Sequence, residues 1–110
     1  MTAIVALIAA ALGAGTFNRS RVWHDSVTLW SSVIEVDPQI ALPYNSRAVA
    51  LAANGDIPGT IRDLDRAVSL NPCYQMALRN RAMVALRLGD RATEQRVREQ
   101  LRRCAHAVER

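Results

Sequence analysis

Few residues of this sequence have side chains that could do chemistry. His24 and Asp25 lie side by side in the segment RVWHDSVTLWSSVIEVDP. A histidine and an aspartate can act as a base and its orienting acid, but catalysis also needs a nucleophile and a pocket. Neighbours in sequence do not face each other on a helix, and no serine or cysteine motif accompanies the pair. We therefore expect no enzyme in this chain and no catalytic residue.

The cysteines and histidines do not form a recognisable metal or redox motif. The chain has two cysteines, Cys73 and Cys104. Two cysteines are not a disulfide framework in a domain of this size, so we interpret them as small, half-buried residues. No cysteine–histidine cluster has the spacing of metal ligands, and no glycine-rich phosphate loop is present. The sequence thus predicts neither a metal nor a cofactor.

The charge is unevenly distributed. The chain has a net charge of +4 and contains arginine but no lysine, and residues 77–110 hold nine arginines against four acids. Such a helix can contact the phosphates of nucleic acid or of anionic lipid. However, residues 79–110 contain no aromatic side chain for base stacking or for a membrane interface. A solvated helix face is the favoured interpretation, and binding to nucleic acid or lipid is the alternative.

The sequence contains an internal repeat with the period that separates Pro38 from Pro72. Four of the pairs of identical residues with this separation define the repeat, and their flanks agree, as EVDP with SLNP and ANGD with RLGD. The pairs are Pro38 and Pro72, Ala48 and Ala82, Gly55 and Gly89, and Asp56 and Asp90. Each glycine can end a helix in the left-handed conformation, and the aspartate after it can cap the next helix. Helices are predicted over residues 22–36, 42–54, 57–70 and 74–88, and from 91 almost to the end.

This period and these turns resemble the tetratricopeptide repeat, a helix–turn–helix unit of about 34 residues. The resemblance covers residues 21–102 and implies an all-α fold of antiparallel helix pairs stacked as a short solenoid. The alanine-rich, aromatic-poor composition also favours an all-α fold. The last helix departs from the repeat pattern and is interpreted as a polar capping helix. The family implies a non-enzymatic module that binds a protein or peptide.

An apolar run precedes the repeats. Residues 2–18 carry no charge, and the run is close to the length of about 20 residues that spans a membrane. We expect residues 1–18 to be an apolar helix that is a membrane segment or the trailing end of one, and residues 19–110 to be the repeats. The alternative is a small soluble adaptor in which residues 1–17 pack on the repeats. Arg19 and Arg21 favour a cytoplasmic side only weakly.

A second resemblance concerns the junction itself. An apolar run, then NRSRVWHDSVTLW, then VDP, is similar to the junction in O-mannosyltransferases with transmembrane and tetratricopeptide regions. The matching residues are Arg21, Trp23, Asp25, Thr28, Leu29 and Trp30. This resemblance implies that the chain is the C-terminal part of a larger membrane protein whose chemistry lies elsewhere. It also implies that the repeats face the extracytosolic side, so the side of the membrane stays open.

Stacked repeats form a groove lined by the first helix of each unit. Asparagine and arginine in such a groove suit an acidic peptide or a free carboxylate. Because the groove is short, binding can also depend on self-association. The groove candidates are Asn45, Arg47, Leu51, Arg79, Asn80 and Arg87. The predicted core residues are Trp30, Val33, Ala48, Leu51, Ile61, Leu64, Ala67, Val68, Leu78, Ala82 and Leu86.

Overall fold

Between residues 15 and 109 the chain is all-helical. A computed structural model describes the backbone of these residues and the side chains of residues 22–107. The helices are α1 (Gly15–Val36), α2 (Ala41–Ala53), α3 (Ile57–Leu70), α4 (Gln75–Leu88) and α5 (Arg91–Glu109). Each helix packs mainly on its neighbours in the chain, from α1 on α2 through to α4 on α5. The architecture is therefore a series of adjacent helix pairs, as in a helical repeat.

The helix boundaries agree with the predicted ones except at the first helix. The helices α2 to α5 begin and end within two residues of their predicted bounds. The first helix was expected to begin near residue 22, but α1 already begins at Gly15. The apolar helix expected over residues 1–18 falls mainly on residues 1–14, which lie outside the described residues. Among those described, none of the helices is both long and apolar enough to cross a membrane.

The two turns that repeat in sequence also repeat in structure. Gly55 and Gly89 have positive φ angles of 83° and 76°, which glycine adopts without steric cost. After each glycine an aspartate caps the next helix, as predicted. The carboxylate of Asp56 accepts a hydrogen bond from the Gly59 backbone N–H at 3.0 Å. That of Asp90 accepts one from the Thr93 N–H at 3.2 Å.

The core consists of two clusters of buried apolar side chains. The first joins α2, α3 and α4 and contains Tyr44, Ala48, Leu64, Ala67 and Ala77. The second joins α4 and α5 and contains Leu78, Ala82, Val97 and Cys104. Alanine dominates at the contacts because its small side chain lets two helix backbones approach closely. Among the large side chains, Leu64 and Leu78 are each only 1% exposed.

The predicted core is confirmed at five positions and wrong at one. Ala48, Leu64, Ala67, Leu78 and Ala82 are buried. Leu86 is instead 55% exposed. Its counterpart one repeat earlier is Ala52, which is also exposed, so this position of the first helix points away from the neighbouring helices. The remaining predicted core residues are half-buried, and they are Trp30, Val33, Leu51, Ile61 and Val68.

The two cysteines form a disulfide bond, and our interpretation of them as unrelated small residues is wrong. Cys73 lies in the loop between α3 and α4, and Cys104 lies on α5, with their Cα atoms 5.5 Å apart. The same loop is held by the side chain of Gln100, which donates a hydrogen bond to the Pro72 carbonyl at 2.8 Å. The disulfide therefore fastens α5 to the preceding repeat. The pairing could not be seen from a separation of 31 residues because it depends on α5 folding back across this loop.

Candidate protein-interaction site

A cleft lies between α2 and α4, the first helices of two successive repeats, with α3 beneath it. Its volume is about 240 Å³. Ala48, Thr60 and Leu64 form a buried floor. The apolar side chains of Val49 and Met83 line opposite sides and are 44% and 53% exposed. The full lining is Ala48, Val49, Ala52, Ile57, Thr60, Leu64, Asn80, Met83, Val84, Arg87 and Leu88.

The exposed apolar side chains on α2 and α4 follow the period of the repeat. Val49 and Met83 are separated by one full repeat, and so are Leu42 and Met76. All four are exposed, although large apolar side chains usually gain by burial. Because the same positions are apolar and exposed in both repeats, the two helices present apolar residues on one surface. Grouped apolar residues of this kind mark interaction sites more often than single ones do.

Asn45 lies beneath the cleft rather than on its surface. Its side chain is buried, at 3% exposure, and its Oδ1 accepts a hydrogen bond from Asn80 Nδ2 at 3.1 Å. This bond joins α2 to α4 across the repeat boundary. Asn80 is only half-buried and lines the cleft. Of these two predicted groove residues, only Asn80 can therefore contact a ligand without movement of a helix.

Arg47 is held inside the fold by an ion pair. Its Nε and Nη2 donate to the two carboxylate oxygens of Asp63 on α3 at 2.6 and 2.8 Å. Its Nη1 donates to the hydroxyl of Ser31 on α1 at 3.2 Å. The hydrogen bonds with Asp63 raise the pKa of Arg47 above its ordinary value. This guanidinium connects three helices and does not line the cleft.

The other three predicted groove residues differ in position. Arg87 is exposed and lines the cleft near its end. Arg79 is exposed on α4 but does not line the cleft, whereas its counterpart Asn45 is covered because α4 packs over it. Leu51 is half-buried and also lies outside the cleft lining. Among the described residues, no acidic side chain is within ion-pair distance of Arg79 or Arg87.

The structure thus brings two of the six predicted residues, Asn80 and Arg87, into the cleft. Its apolar sides, Val49 and Met83, were not among the predicted groove residues. A signal for them was available, since they share the period that identified the turns. They were missed because we sought polar contacts, whereas exposed apolar residues at repeating positions carry the information here.

The arginines of the C-terminal part are partly neutralised by acidic neighbours. Arg98 pairs with Glu94 at 2.8 Å, and both Arg102 and Arg103 contact Glu99. Arg81 pairs with Asp65 of the previous repeat at 2.9 Å. Pairs with at least one exposed partner contribute little stability, but they reduce the positive field that phosphates would meet. The basic surface is therefore weaker than the count of arginines indicates.

The comparisons with known proteins point to the same kind of fold. The chain is 34% identical over 58 residues to WD and tetratricopeptide repeats protein 1 of Mus musculus, a stretch that is 50% of this chain and 9% of that protein. Together with the all-helical structure, this supports a tetratricopeptide-like helical repeat. No family model matches the chain. The matched stretch spans only 9% of the relative's length. It gives no support to the resemblance with the O-mannosyltransferase junction.

Proposed function

We propose that this chain is a non-enzymatic protein-interaction module, a short tetratricopeptide-like solenoid that binds a segment of a partner protein in the cleft between α2 and α4. The carrying observation is that Val49 and Met83, at equivalent positions of successive repeats, are exposed on opposite sides of one cleft. An apolar side chain of the ligand that entered this cleft would cover both residues and the floor at Ala48 and Leu64. Removing apolar surface from water is the main favourable contribution to such binding.

The polar groups of the cleft favour a ligand with an acidic residue or a free carboxylate beside its apolar side chain. Arg87 offers a planar guanidinium without an acidic partner among the described residues, and carboxylates bind such a group with two parallel hydrogen bonds. Asn80 already donates to Asn45, and its own carboxamide oxygen can accept a backbone N–H of an extended ligand. Met83 is flexible and adapts to different apolar side chains. Arg79 can add a more distant charge contact.

The disulfide and the apolar run both bear on the cell compartment. We propose that the repeats work in an oxidising compartment, because disulfides persist there and are rare in the cytosol. This agrees with the extracytosolic side that the resemblance to the O-mannosyltransferases implies. We retain the prediction that residues 1–18 attach the module to a membrane, alone or within a larger protein. Alkaline carbonate extraction of the chain with and without residues 1–17 tests this attachment.

A selection from random peptides tests the ligand-binding function. Phage displaying random 12-residue peptides are panned on the wild-type chain and counter-selected on the Met83→Glu variant, whose cleft carries a charge in place of an apolar side chain. We expect enriched peptides that combine apolar residues with aspartate, glutamate or a carboxylate. The proposal fails if nothing is enriched, or if the enriched peptides bind the variant as well as the wild type.

A further inference from the structure

The helix α1 occupies the position of a second helix in a repeat, yet the face that should be covered is open. The register of the repeat aligns α1 with α3. Four positions of α3 face the neighbouring helices and are at most 2% exposed, namely Thr60, Asp63, Leu64 and Ala67. None of their counterparts on α1 is buried, and these are Ser26, Leu29, Trp30 and Val33. Leu29 is 57% exposed, although it is apolar and aligns with the buried Asp63.

The difference arises because α3 has two neighbouring first helices and α1 has one. In α3, this face is covered by α2: the Thr60 hydroxyl contacts the Ala48 carbonyl at 3.3 Å, and Asp63 pairs with Arg47. The helix α1 packs on α2 through another side, where Ser31 accepts a hydrogen bond from Arg47. Among the described residues, none of the helices precedes α1. Its face toward Leu29 therefore lacks the partner that α2 provides for α3.

Part of the stretch that the repeat would use for this partner already belongs to α1. The register would place the missing helix at residues 7–19 and its partner at residues 23–36. However, α1 runs without a break from Gly15 to Val36, so residues 15–19 already belong to α1. Within the part of the chain that the structure describes, none of the helices covers this face.

The open face of α1 is suited to pairing with itself. Three exposed apolar residues, Val22, Leu29 and Val36, are spaced by seven, which places them on one side of the helix. Opposite charges mark the two ends, since the sequence has Arg19 and Arg21 in the early turns and Glu35 in the last turn. In an antiparallel pair of identical helices, each basic end lies beside the acidic end of the partner.

We propose that two copies of this chain associate through α1, with the two helices antiparallel and Leu29 near the centre of the contact. The contact is isologous, so each copy offers the same surface, as in most homodimers. It covers Leu29, Trp30 and Val33 with a helix in the place that α2 occupies on α3. The cleft between α2 and α4 is formed by other helices, so its ligand binding does not depend on this association.

The molecular mass of the full chain tests this proposal, measured in a density-matched detergent because residues 1–18 are proposed to attach to a membrane. Sedimentation equilibrium should give twice the 12.1 kDa of one chain. Leu29→Glu should shift the mass to that of one chain, because antiparallel pairing places two glutamates close together in an apolar contact. The matched control is Leu86→Glu, because Leu86 has nearly the same exposure, 55%, and lies on α4, away from α1. It should leave the mass unchanged.

Two further measurements separate association from folding. Val36→Glu changes a residue that is 87% exposed, so it cannot disturb the core, and it should also weaken association. Far-ultraviolet circular dichroism should show equal helix content in all variants. A wild-type mass of one chain at all concentrations overturns the proposal, and so does an unchanged mass in both α1 variants. If the Leu29→Glu variant still binds the selected peptides, ligand binding does not depend on the association of two copies.

Discussion

Arg47 and Asp63 form a two-bonded ion pair between α2 and α3, and the same guanidinium also donates to Ser31 on α1. The side chain of Asp63 is 3% exposed and that of Arg47 is 23% exposed. Sixteen residues separate Arg47 from each partner. One repeat later, Arg81 contacts Asp65, again across sixteen residues. In both repeats, an arginine at this position therefore connects the first helix to a neighbouring second helix.

Replacing Arg47 with methionine should lower the free energy of unfolding by about 2–3 kcal/mol, because it leaves the Asp63 carboxylate buried without its partner. This is somewhat less than for a fully buried pair, since water reaches Arg47. Urea denaturation followed by circular dichroism measures the change. The control is Arg81→Met, which should cost about 0–1 kcal/mol, because the Asp65 carboxylate stays in contact with water when its partner is removed, although the Arg81 side chain itself is only 12% exposed. Its partner Asp65 is 58% exposed. Equal losses of unfolding free energy in the two variants would show that burial of the partner carboxylate does not determine the cost.

A polar change at Leu64 should abolish cooperative unfolding, because this side chain is 1% exposed and lies in the cluster that joins three helices. Burying an unpaired carboxylate there is too costly for a domain of marginal stability. Thermal unfolding of Leu64→Asp should show no transition. The same change at Leu86, which is exposed, should alter the free energy of unfolding by no more than about 0.5 kcal/mol. If Leu64→Asp kept a normal transition, the assignment of the core would be wrong.

Much of the fold could be predicted because the period of the repeat is recorded in turn residues. Gly55, Gly89 and the aspartates after them act locally, so their roles can be read from sequence alone. Positions that depend on neighbouring helices could not be predicted in this way. Asn45 and Arg79 are equivalent by register, yet α4 covers the first and no further repeat among the described residues covers the second.

The same limit applies to the residues of the candidate site. Arg47 was predicted to meet a ligand because it lies on a first helix and arginine suits a carboxylate, but its partners Ser31 and Asp63 come from two other helices. The pairing of Cys73 with Cys104 likewise depends on how α5 folds back. Contacts between distant segments need the packing of the helices to be known, whereas turns and caps do not.

Reduction of the disulfide should destabilise the domain by about 3–4 kcal/mol, since the bond restricts the unfolded chain across a long loop. The free energy of unfolding in urea is compared with and without a thiol reductant. The double variant Cys73→Ala with Cys104→Ala should be no more stable than the reduced wild type and should not respond to the reductant. Free-thiol titration of the unfolded, unreduced chain should find none. Two titratable thiols in that sample would contradict the pairing.

The cap at Asp90 should make stability depend on pH in the acid range. Hydrogen bonds from the Thr93 hydroxyl and backbone N–H hold the pKa of Asp90 below its ordinary value of 3.8. The ionised cap therefore stabilises the folded state above that pH, and this contribution is lost as the pH falls further below it. Asp90→Asn should lower the Tm at neutral pH, and the difference from wild type should shrink below pH 3.8. A difference in Tm that stays constant from pH 7 to pH 2.5 would show that the ionised Asp90 carboxylate does not stabilise the folded state.

The contribution of Arg87 to ligand recognition should depend on the charge of the peptide. Arg87→Ala should weaken binding of an acidic selected peptide several-fold, because a charge-assisted hydrogen bond is lost. It should have little effect on the same peptide with its acidic residues changed to glutamine. Isothermal titration calorimetry measures both affinities. Arg102→Ala, which removes an exposed arginine on α5, serves as the control. An equal loss of affinity for both peptides would show that Arg87 makes no charge contact with the ligand.

The affinity of a selected peptide for wild-type and Met83→Glu chains shows whether the cleft between α2 and α4 binds the ligand. The most enriched 12-residue peptide is labelled with fluorescein, and its dissociation constant is measured by fluorescence anisotropy. We predict at least a tenfold weaker affinity for Met83→Glu, which corresponds to a loss of about 1.4 kcal/mol. We also predict an unchanged affinity for Leu29→Glu on α1. Equal affinities for wild type and Met83→Glu would show that the cleft between α2 and α4 is not the ligand site.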